Sequence, residues 1–311
     1  MRTRIEGADA LRGWATLFVL MTHVIIYVPR GNPLWGIANQ GGHGVQLFYV
    51  LSAYLLCLNF YRDRAAGQYS LGSYALRRVF RIVPMFWLAI AINLALLGFA
   101  PRPYAPEGIT WPTVVQTAFF LNGFRPDTIT AVVLGGWSVT IEATFYVLLP
   151  LVLLFVRSLA SAIAFLAAAF LFSLWANPAV YEHFMSQPGA DQALVWQYAW
   201  AFWFPAQLPV FGCGIVLFFA TRNGVSRRAA QMAAVLGLGG VGYLLCRAAS
   251  QETAMLAYGA AFASLTAGLL VIKLPILDNS VIRHIGKVSY SIYLLHLPIL
   301  YAWIFWATAH G

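Results

Sequence analysis

Ser158-Leu-Ala-Ser-Ala-Ile-Ala-Phe-Leu-Ala-Ala-Ala-Phe-Leu-Phe-Ser-Leu-Trp175 carries no charge at any of its 18 positions. Coiled as an α-helix it rises about 27 Å, close to the hydrocarbon thickness of a bilayer. A helix at a water surface needs a polar face, and this one has none. Comparable runs recur at Val147–Val156 and Met255–Ile272, and the 311-residue chain as a whole is 61% apolar and 9% charged. Mean hydropathy is +0.74. A soluble domain carries about a quarter charged residues. The sequence therefore reads as an all-α polytopic integral membrane protein, and the same composition excludes disorder, collagen and a disulfide scaffold.

Walking outward from that run places spans near Leu11–Val28, Val45–Phe60, Ile82–Phe99, Trp137–Val156, Leu159–Trp175, Phe202–Ala220, Ala230–Cys246, Thr253–Ile272 and Val288–Thr308. A further segment, Thr113–Asn122, is too short to cross about 30 Å at 1.5 Å per residue. The basic residues arbitrate. With the N-terminus cytoplasmic and this segment dipping, Arg2, Arg4, Arg12, Arg62, Arg64, Arg77, Arg78, Arg81, Arg157, Arg222, Arg227, Arg228, Lys273, Arg283 and Lys287 fall inside. Arg30, Arg102, Arg125 and Arg247 fall outside. A crossing at Thr113–Asn122 would nearly equalise the two sides, so the positive-inside rule selects about ten transmembrane helices: nine clear spans plus one short or re-entrant segment. A tilted tenth span remains the open alternative. The first apolar stretch lacks a small-residue cleavage site and reads as a transmembrane helix rather than a signal peptide. One membrane domain over residues 1–311, with no appended soluble domain, is expected.

Cys57, Cys213 and Cys246 stand apart from one another, without CxxC or CxxH spacing. They read as small buried hydrophobes, with no zinc site and no disulfide frame. The formal charge is +9, but the basic residues punctuate apolar runs instead of clustering on a wet face. Nucleic acid is thereby disfavoured, and inner-leaflet lipid and an anionic substrate are the expected partners.

An ionisable group inside a span is costly unless it is paired or faces a polar cavity. Arg12 and His23 share one face of the first helix with Asp9 and Thr16, about 16 Å apart along the axis. Ser138, Glu142 and Tyr146 stack at i, i+4 and i+8 at the start of the fourth span, and Glu142 is the one acid well inside an apolar run. It falls at a depth similar to that of His23. Arg77, Arg78 and Arg81 crowd the inner lip of the third span, where arginine forks suit phosphate oxygens. Lipid contact is the competing reading there. Ser289, Tyr293 and His296 form a stripe on the last span, just before Pro298. His43, His183, His284 and His310 lie in loops or at the terminus and singly carry little information.

Five stretches in order now make a resemblance. They are Ala8-Asp-Ala-Leu-Arg-Gly with the Arg12–His23 spacing, Gly44-Val-Gln-Leu-Phe-Tyr-Val-Leu-Ser-Ala-Tyr-Leu and Arg78-Val-Phe-Arg81-Ile-Val-Pro, followed by Trp137-Ser-Val-Thr-Ile-Glu142-Ala-Thr-Phe-Tyr146 and Ser289-Tyr-Ser-Ile-Tyr293-Leu-Leu-His296-Leu-Pro. Over nearly its whole length the chain resembles the acyltransferase 3 family of polytopic membrane proteins. Departures are Ala10 and Ala53, where the family often has glycine, and Gln46, where an acid is common. Members often carry an extracytoplasmic hydrolase-like domain, so this chain reads as a minimal form.

The resemblance implies acyl transfer, with acetyl the default group, from cytoplasmic acyl-CoA to a hydroxyl of a cell-surface or exported glycan at the bacterial inner membrane. No metal is expected. Arg12, Arg77, Arg78 and Arg81 would then dock the donor, and His23 would act as general base. Glu142 would hold the imidazole tautomer or balance its charge, with another contact able to serve instead. Ser52, Ser138, Tyr146, Ser289, Tyr293 and His296 are candidate cavity-wall groups. A proton-coupled transporter is the main rival, though the charged motifs crowd one half without a counterpart in the other. A non-catalytic membrane subunit is a third class. Trp196, Trp200, Phe202 and Trp203 form an aromatic cluster suited either to stacking on sugar rings or to an interfacial belt.

Overall fold

A computed structural model describes residues 5–25, 32, 35–102, 105–125, 127–185, 202–246 and 251–310. Among them there is no strand, and one isolated bridge joins Arg102 to Ala105. The helices are α1 (Glu6–Val24), α2 (Trp35–Asn39), α3 (Gly44–Ala65), α4 (Leu71–Leu97), α5 (Trp111–Ala118), α6 (Trp137–Phe155), α7 (Leu159–Met185), α8 (Phe204–Thr221), α9 (Arg227–Leu245), α10 (Gln251–Leu269), α11 (Ser280–Lys287) and α12 (Ser289–His310). Short 3-10 turns at Gln40–His43 and Asn122–Phe124 join α2 to α3 and follow α5. Each of the nine expected spans overlaps a helix, residues 26–28 of the first lying outside the described residues, and among the described residues six helices are long and apolar enough to cross a membrane by length and composition. The chain is an all-helical integral membrane protein. At eight residues, α5 rises about 12 Å.

Two compact units are present. One comprises Met1–Gly67, Val156–Phe170 and Leu208–Tyr293, the other Gln68–Phe155, Leu171–Gln207 and Leu294–Gly311.

In the first unit, small residues let backbones touch. A Cβ at Gly13 would strike the Ile282 carbonyl, and one at Gly286 the Asp9 carbonyl, so the backbones of α1 and α11 approach closely at these two glycines. Gly237 against Leu265 and Gly268 against Ala234 bring α9 and α10 equally close. Such contacts drive helix association where lipid removes the hydrophobic incentive. The α11 helix is absent from the span pattern because it is short and amphipathic: Ile282 and Gly286 are buried, while Val281, His284 and Lys287 are exposed. Asn279 caps it, its side chain accepting from Ile282 N at 3.0 Å. Arg283 ties it to Asp278 and, at 2.9 Å, to Glu6 at the start of α1. The helical part of the first span also begins earlier than its apolar run, and α3 extends to Ala65. Asp9 and Asp63 therefore lie buried within helices, so Glu142 is not alone among acids inside them.

In the second unit, the chain between α5 and α6 is buried although it is not helical. Ile129, Ala131, Val132 and Val133 are each at most 3% exposed. Non-helical backbone inside a membrane protein needs its polar groups satisfied locally. Asn122 does this: its Nδ2 donates to the Ile129 carbonyl at 2.9 Å, and its Oδ1 accepts from Thr140 Oγ1 at 2.8 Å. Thr128 Oγ1 donates to the Asn122 carbonyl at 2.9 Å, and Thr130 Oγ1 accepts from Gly135 N at 3.1 Å. This knot fixes where α6, and with it Glu142, begins.

Candidate active site

The first unit holds Arg12 and His23 on the single helix α1. Arg12 Nη1 lies 3.5 Å from Oδ1 of Asp9, whose carboxylate is buried. His23 is half-buried, and its Nδ1 lies 2.8 Å from the Val19 carbonyl. A carbonyl only accepts, so in the neutral ring Nδ1 carries the proton and Nε2 keeps the lone pair. The tautomer a general base requires is thus fixed within the helix itself. Ser52 and Ser289 are buried, and Tyr293 sets its ring edge-on to Phe48 with centroids 6.2 Å apart.

The second unit holds the arginines and the carboxylate. Tyr146 Oη donates to Glu142 Oε1 at 2.6 Å, one turn away on α6. Tyr74, in the first turn of α4, donates its hydroxyl to the Tyr146 carbonyl at 2.8 Å, which locks α4 to α6 at this level. One turn further along α4, the Arg78 guanidinium lies over both rings, 5.9 Å from the Tyr74 centroid and 5.5 Å from that of Tyr146. Arg78 Nε is buried with no hydrogen-bond partner, and no carboxylate pairs with the guanidinium among the described residues. Two aromatic faces favour the cation without neutralising it. Arg77, like Arg78, is half-buried, whereas Arg81 is exposed. Ser138 is buried and turns back to the Gly135 carbonyl at 3.4 Å; His296 is half-buried on α12.

Trp196 and Trp200 lie outside the described residues. The other two members of the aromatic cluster have structural partners, Phe202 stacking on Trp137 at 4.4 Å and Trp203 donating Nε1 to Asn177 Oδ1 at 2.7 Å. Of the cations expected outside, Arg125 forks onto Asp127 at 3.0 and 2.7 Å, and that hydrogen bond raises its pKa above the ordinary arginine value. Burial lowers that of Arg102.

Sequence reasoning missed Tyr74. A tyrosine at a helix start has no signature until its partner on α6 is known. It also passed over His43, which closes the 3-10 turn before α3 and is not in an open loop.

Helices apolar enough to cross a bilayer, with a histidine on α1 in one unit and an arginine and a carboxylate that share Tyr146 in the other, define the class as an integral membrane protein with ionisable groups among its helices. Its family follows from comparison with known proteins: the family model described as Acyltransferase domain matches residues 5–311, and the chain belongs to that acyltransferase 3 family. It is a membrane acyltransferase.

Among similar proteins, "Acyltransferase MdmB" of Streptomyces mycarofaciens is 23% identical over 96% of this chain and 79% of its own length. "O-acetyltransferase OatA" of Staphylococcus aureus is 23% identical over 95% of this chain and 50% of its own length. "Putative peptidoglycan O-acetyltransferase YrhL" of Bacillus subtilis is 25% identical over 95% and 48% respectively. The chain thus spans about half the length of the two O-acetyltransferases. No solved structure matches it.

Proposed function

We propose that this protein moves an acyl group, acetyl by default, from cytoplasmic acyl-CoA to a hydroxyl of a cell-surface or exported glycan at the bacterial inner membrane. The observation that carries the reading is Arg78. A half-buried guanidinium that pairs with no carboxylate among the described residues, held over two tyrosine rings, is suited to an anion that completes it. The phosphates of a CoA donor are such an anion, with Arg77, Arg81 and Arg12 contributing on the same side of the membrane. The names of two relatives as O-acetyltransferases, one of them of peptidoglycan, support a hydroxyl acceptor on a glycan.

In this reading Nε2 of neutral His23 takes the proton of the acceptor hydroxyl as its oxygen attacks the thioester carbonyl. The new carbon–oxygen bond forms, the carbon–sulfur bond breaks, and the departing CoA thiolate takes the proton back from the imidazolium. Products are an ester and free CoA thiol. Glu142, oriented by Tyr146, is the carboxylate this reading assigns to balancing charge. Ser138, Ser52, Ser289, Tyr293 and His296 serve as cavity-wall groups. In this reading there are about ten transmembrane helices and a cytoplasmic N-terminus, which would leave the arginines on the CoA side; the 12 Å rise of α5 supports a dipping segment over a full crossing.

The test is His23→Ala in proteoliposomes supplied with acetyl-CoA and isolated peptidoglycan. Acetyl transfer should fall by about 10²–10⁴-fold while acetyl-CoA still binds. Retained turnover overturns the base assignment, and solute flux without thiol release would mark a transporter instead.

A further inference from the structure

The first unit carries a second histidine that the acyl-transfer scheme leaves unused. The His43 ring lies flat on that of Tyr258 in α10, with centroids 4.0 Å apart and planes 17° from parallel. Its Nδ1 lies 3.3 Å from Oε1 of Gln46. Because that oxygen only accepts, Nδ1 carries the proton and Nε2 presents its lone pair. Gln46 and Tyr258 are buried at 3% and 1% exposure, whereas His43 is half-buried and forms the open side of the group. Tyr258 Oη is itself buried and makes no hydrogen bond among the described residues. A hydroxyl enclosed in an apolar interior without a partner is uncommon, and it calls for an explanation of what completes it.

Position and chemistry together suggest the ligand. The α2 helix and the 3-10 turn that ends in His43 are both fastened to α1: Thr22 Oγ1 donates to the Ala38 carbonyl of α2 at 2.8 Å, and Gly41 of the turn abuts the Phe18 carbonyl so closely that a Cβ would not fit. Thr22 is the chain neighbour of His23. The group itself is His43, Gln46 and Tyr258, extended by Phe262, whose ring lies 5.7 Å from that of Tyr258. None of these side chains is a fixed charge. These four side chains themselves would neutralise neither a bound anion nor a bound cation. A neutral acceptor lone pair on the half-buried His43, beside the buried neutral hydroxyl donor of Tyr258, matches a sugar hydroxyl, which both donates and accepts.

The geometry points to His43, Gln46 and Tyr258 as a subsite for a neutral sugar ring, one of whose hydroxyls donates to His43 Nε2 and accepts from Tyr258 Oη. That this sugar is the acyl acceptor rests on the acyltransferase reading above; the binding of a neutral saccharide does not.

The experiment uses the full chain in lipid nanodiscs and the N-acetylglucosamine tetrasaccharide as probe. Carbethoxylation of His43 by diethyl pyrocarbonate, mapped by mass spectrometry, should fall at least fivefold at saturating saccharide and should be unaffected by acetyl-CoA. Tyr258→Phe removes a hydroxyl with no partner, so it should fold normally yet lose this protection. A hydroxyl that holds only a water would leave the protection unchanged in Tyr258→Phe, and that result overturns the proposal. Absence of protection in the wild type, or equal protection by acetyl-CoA, overturns it as well. In turnover assays Tyr258→Phe should raise the acceptor KM about tenfold with the acetyl-CoA KM unchanged. Protection without any acetyl transfer by the wild type would sustain the saccharide subsite and remove the acyltransfer scheme, so the two ideas fail separately.

Discussion

Tyr146 gives its hydroxyl to Glu142 at 2.6 Å and, on the same ring, carries the guanidinium of Arg78 5.5 Å from its centroid. One side chain therefore connects the group suited to a donor anion with the carboxylate on the next turn of α6. Tyr146→Phe keeps the ring beneath Arg78 and removes the bond to Glu142. A hydrogen bond to an ionised group contributes about 1.5–3 kcal/mol, so a loss of roughly 10- to 100-fold in turnover is expected. Stopped assays of CoA thiol release at saturating acetyl-CoA check this, and the donor KM should move little.

Arg78 is predicted to act mainly on donor binding. Arg78→Met keeps an apolar chain over the two rings and deletes the charge, which should raise the acetyl-CoA Kd at least tenfold, a change of about 1.4 kcal/mol. Arg78→Lys should recover only part of that, because an ammonium lacks the planar fork that engages two phosphate oxygens. Equilibrium binding of acetyl-CoA in detergent measures both. An unchanged Kd with reduced turnover would instead place Arg78 among the reacting atoms.

Much of this was legible in the chain, and the reasons differ from residue to residue. Ser158–Trp175 announces a span because an uncharged run of helical length has one stable environment. Glu142 and Tyr146 announce a pair because the i, i+4 spacing brings them together on any helix, and they do bond. His23 was found by position, but its tautomer partner Val19 is a backbone carbonyl, which no sequence pattern distinguishes from the others on α1. Tyr74 and His43 were missed because each depends on a residue far along the chain, on α6 and α10 respectively. The α11 helix was missed because eight amphipathic residues give no span signal. The buried chain before α6 was equally silent, since Asn122, Thr128 and Thr130 look like ordinary loop residues until their bonds are drawn.

Two kinds of helical glycine should respond oppositely to alanine. At Gly286 a Cβ would overlap the Asp9 carbonyl, and the obstacle is backbone, which cannot swing aside. Gly286→Ala should push α11 off α1 and lower stability by about 1–3 kcal/mol, the usual range for overpacking. At Gly239 on α9 an added methyl would meet nothing within 4 Å. There alanine only restricts the unfolded chain and should stabilise by about 0.4–1 kcal/mol. Thermal unfolding of the two variants in the same detergent gives the comparison, and a loss at both sites would show that the α1–α11 contact is not what sets the first effect.

Asn122 sits far from the arginines in sequence yet should affect the same chemistry. Its amide satisfies the Ile129 carbonyl and the Thr140 hydroxyl, so Asn122→Ala leaves two buried polar groups without their partner. Each costs about 1–3 kcal/mol when unsatisfied in an apolar interior. Because the segment leads directly into α6, loosening it should also let Glu142 drift from its place. The expected result is a lower unfolding temperature together with reduced turnover, and faster amide exchange confined at first to residues 127–136. Asn122→Asp separates the two contacts: its carboxylate still accepts from Thr140 but cannot donate to Ile129, so its stability should fall between those of the wild type and the alanine variant. If the aspartate variant is as damaged as alanine, the Ile129 carbonyl is the contact that holds the segment.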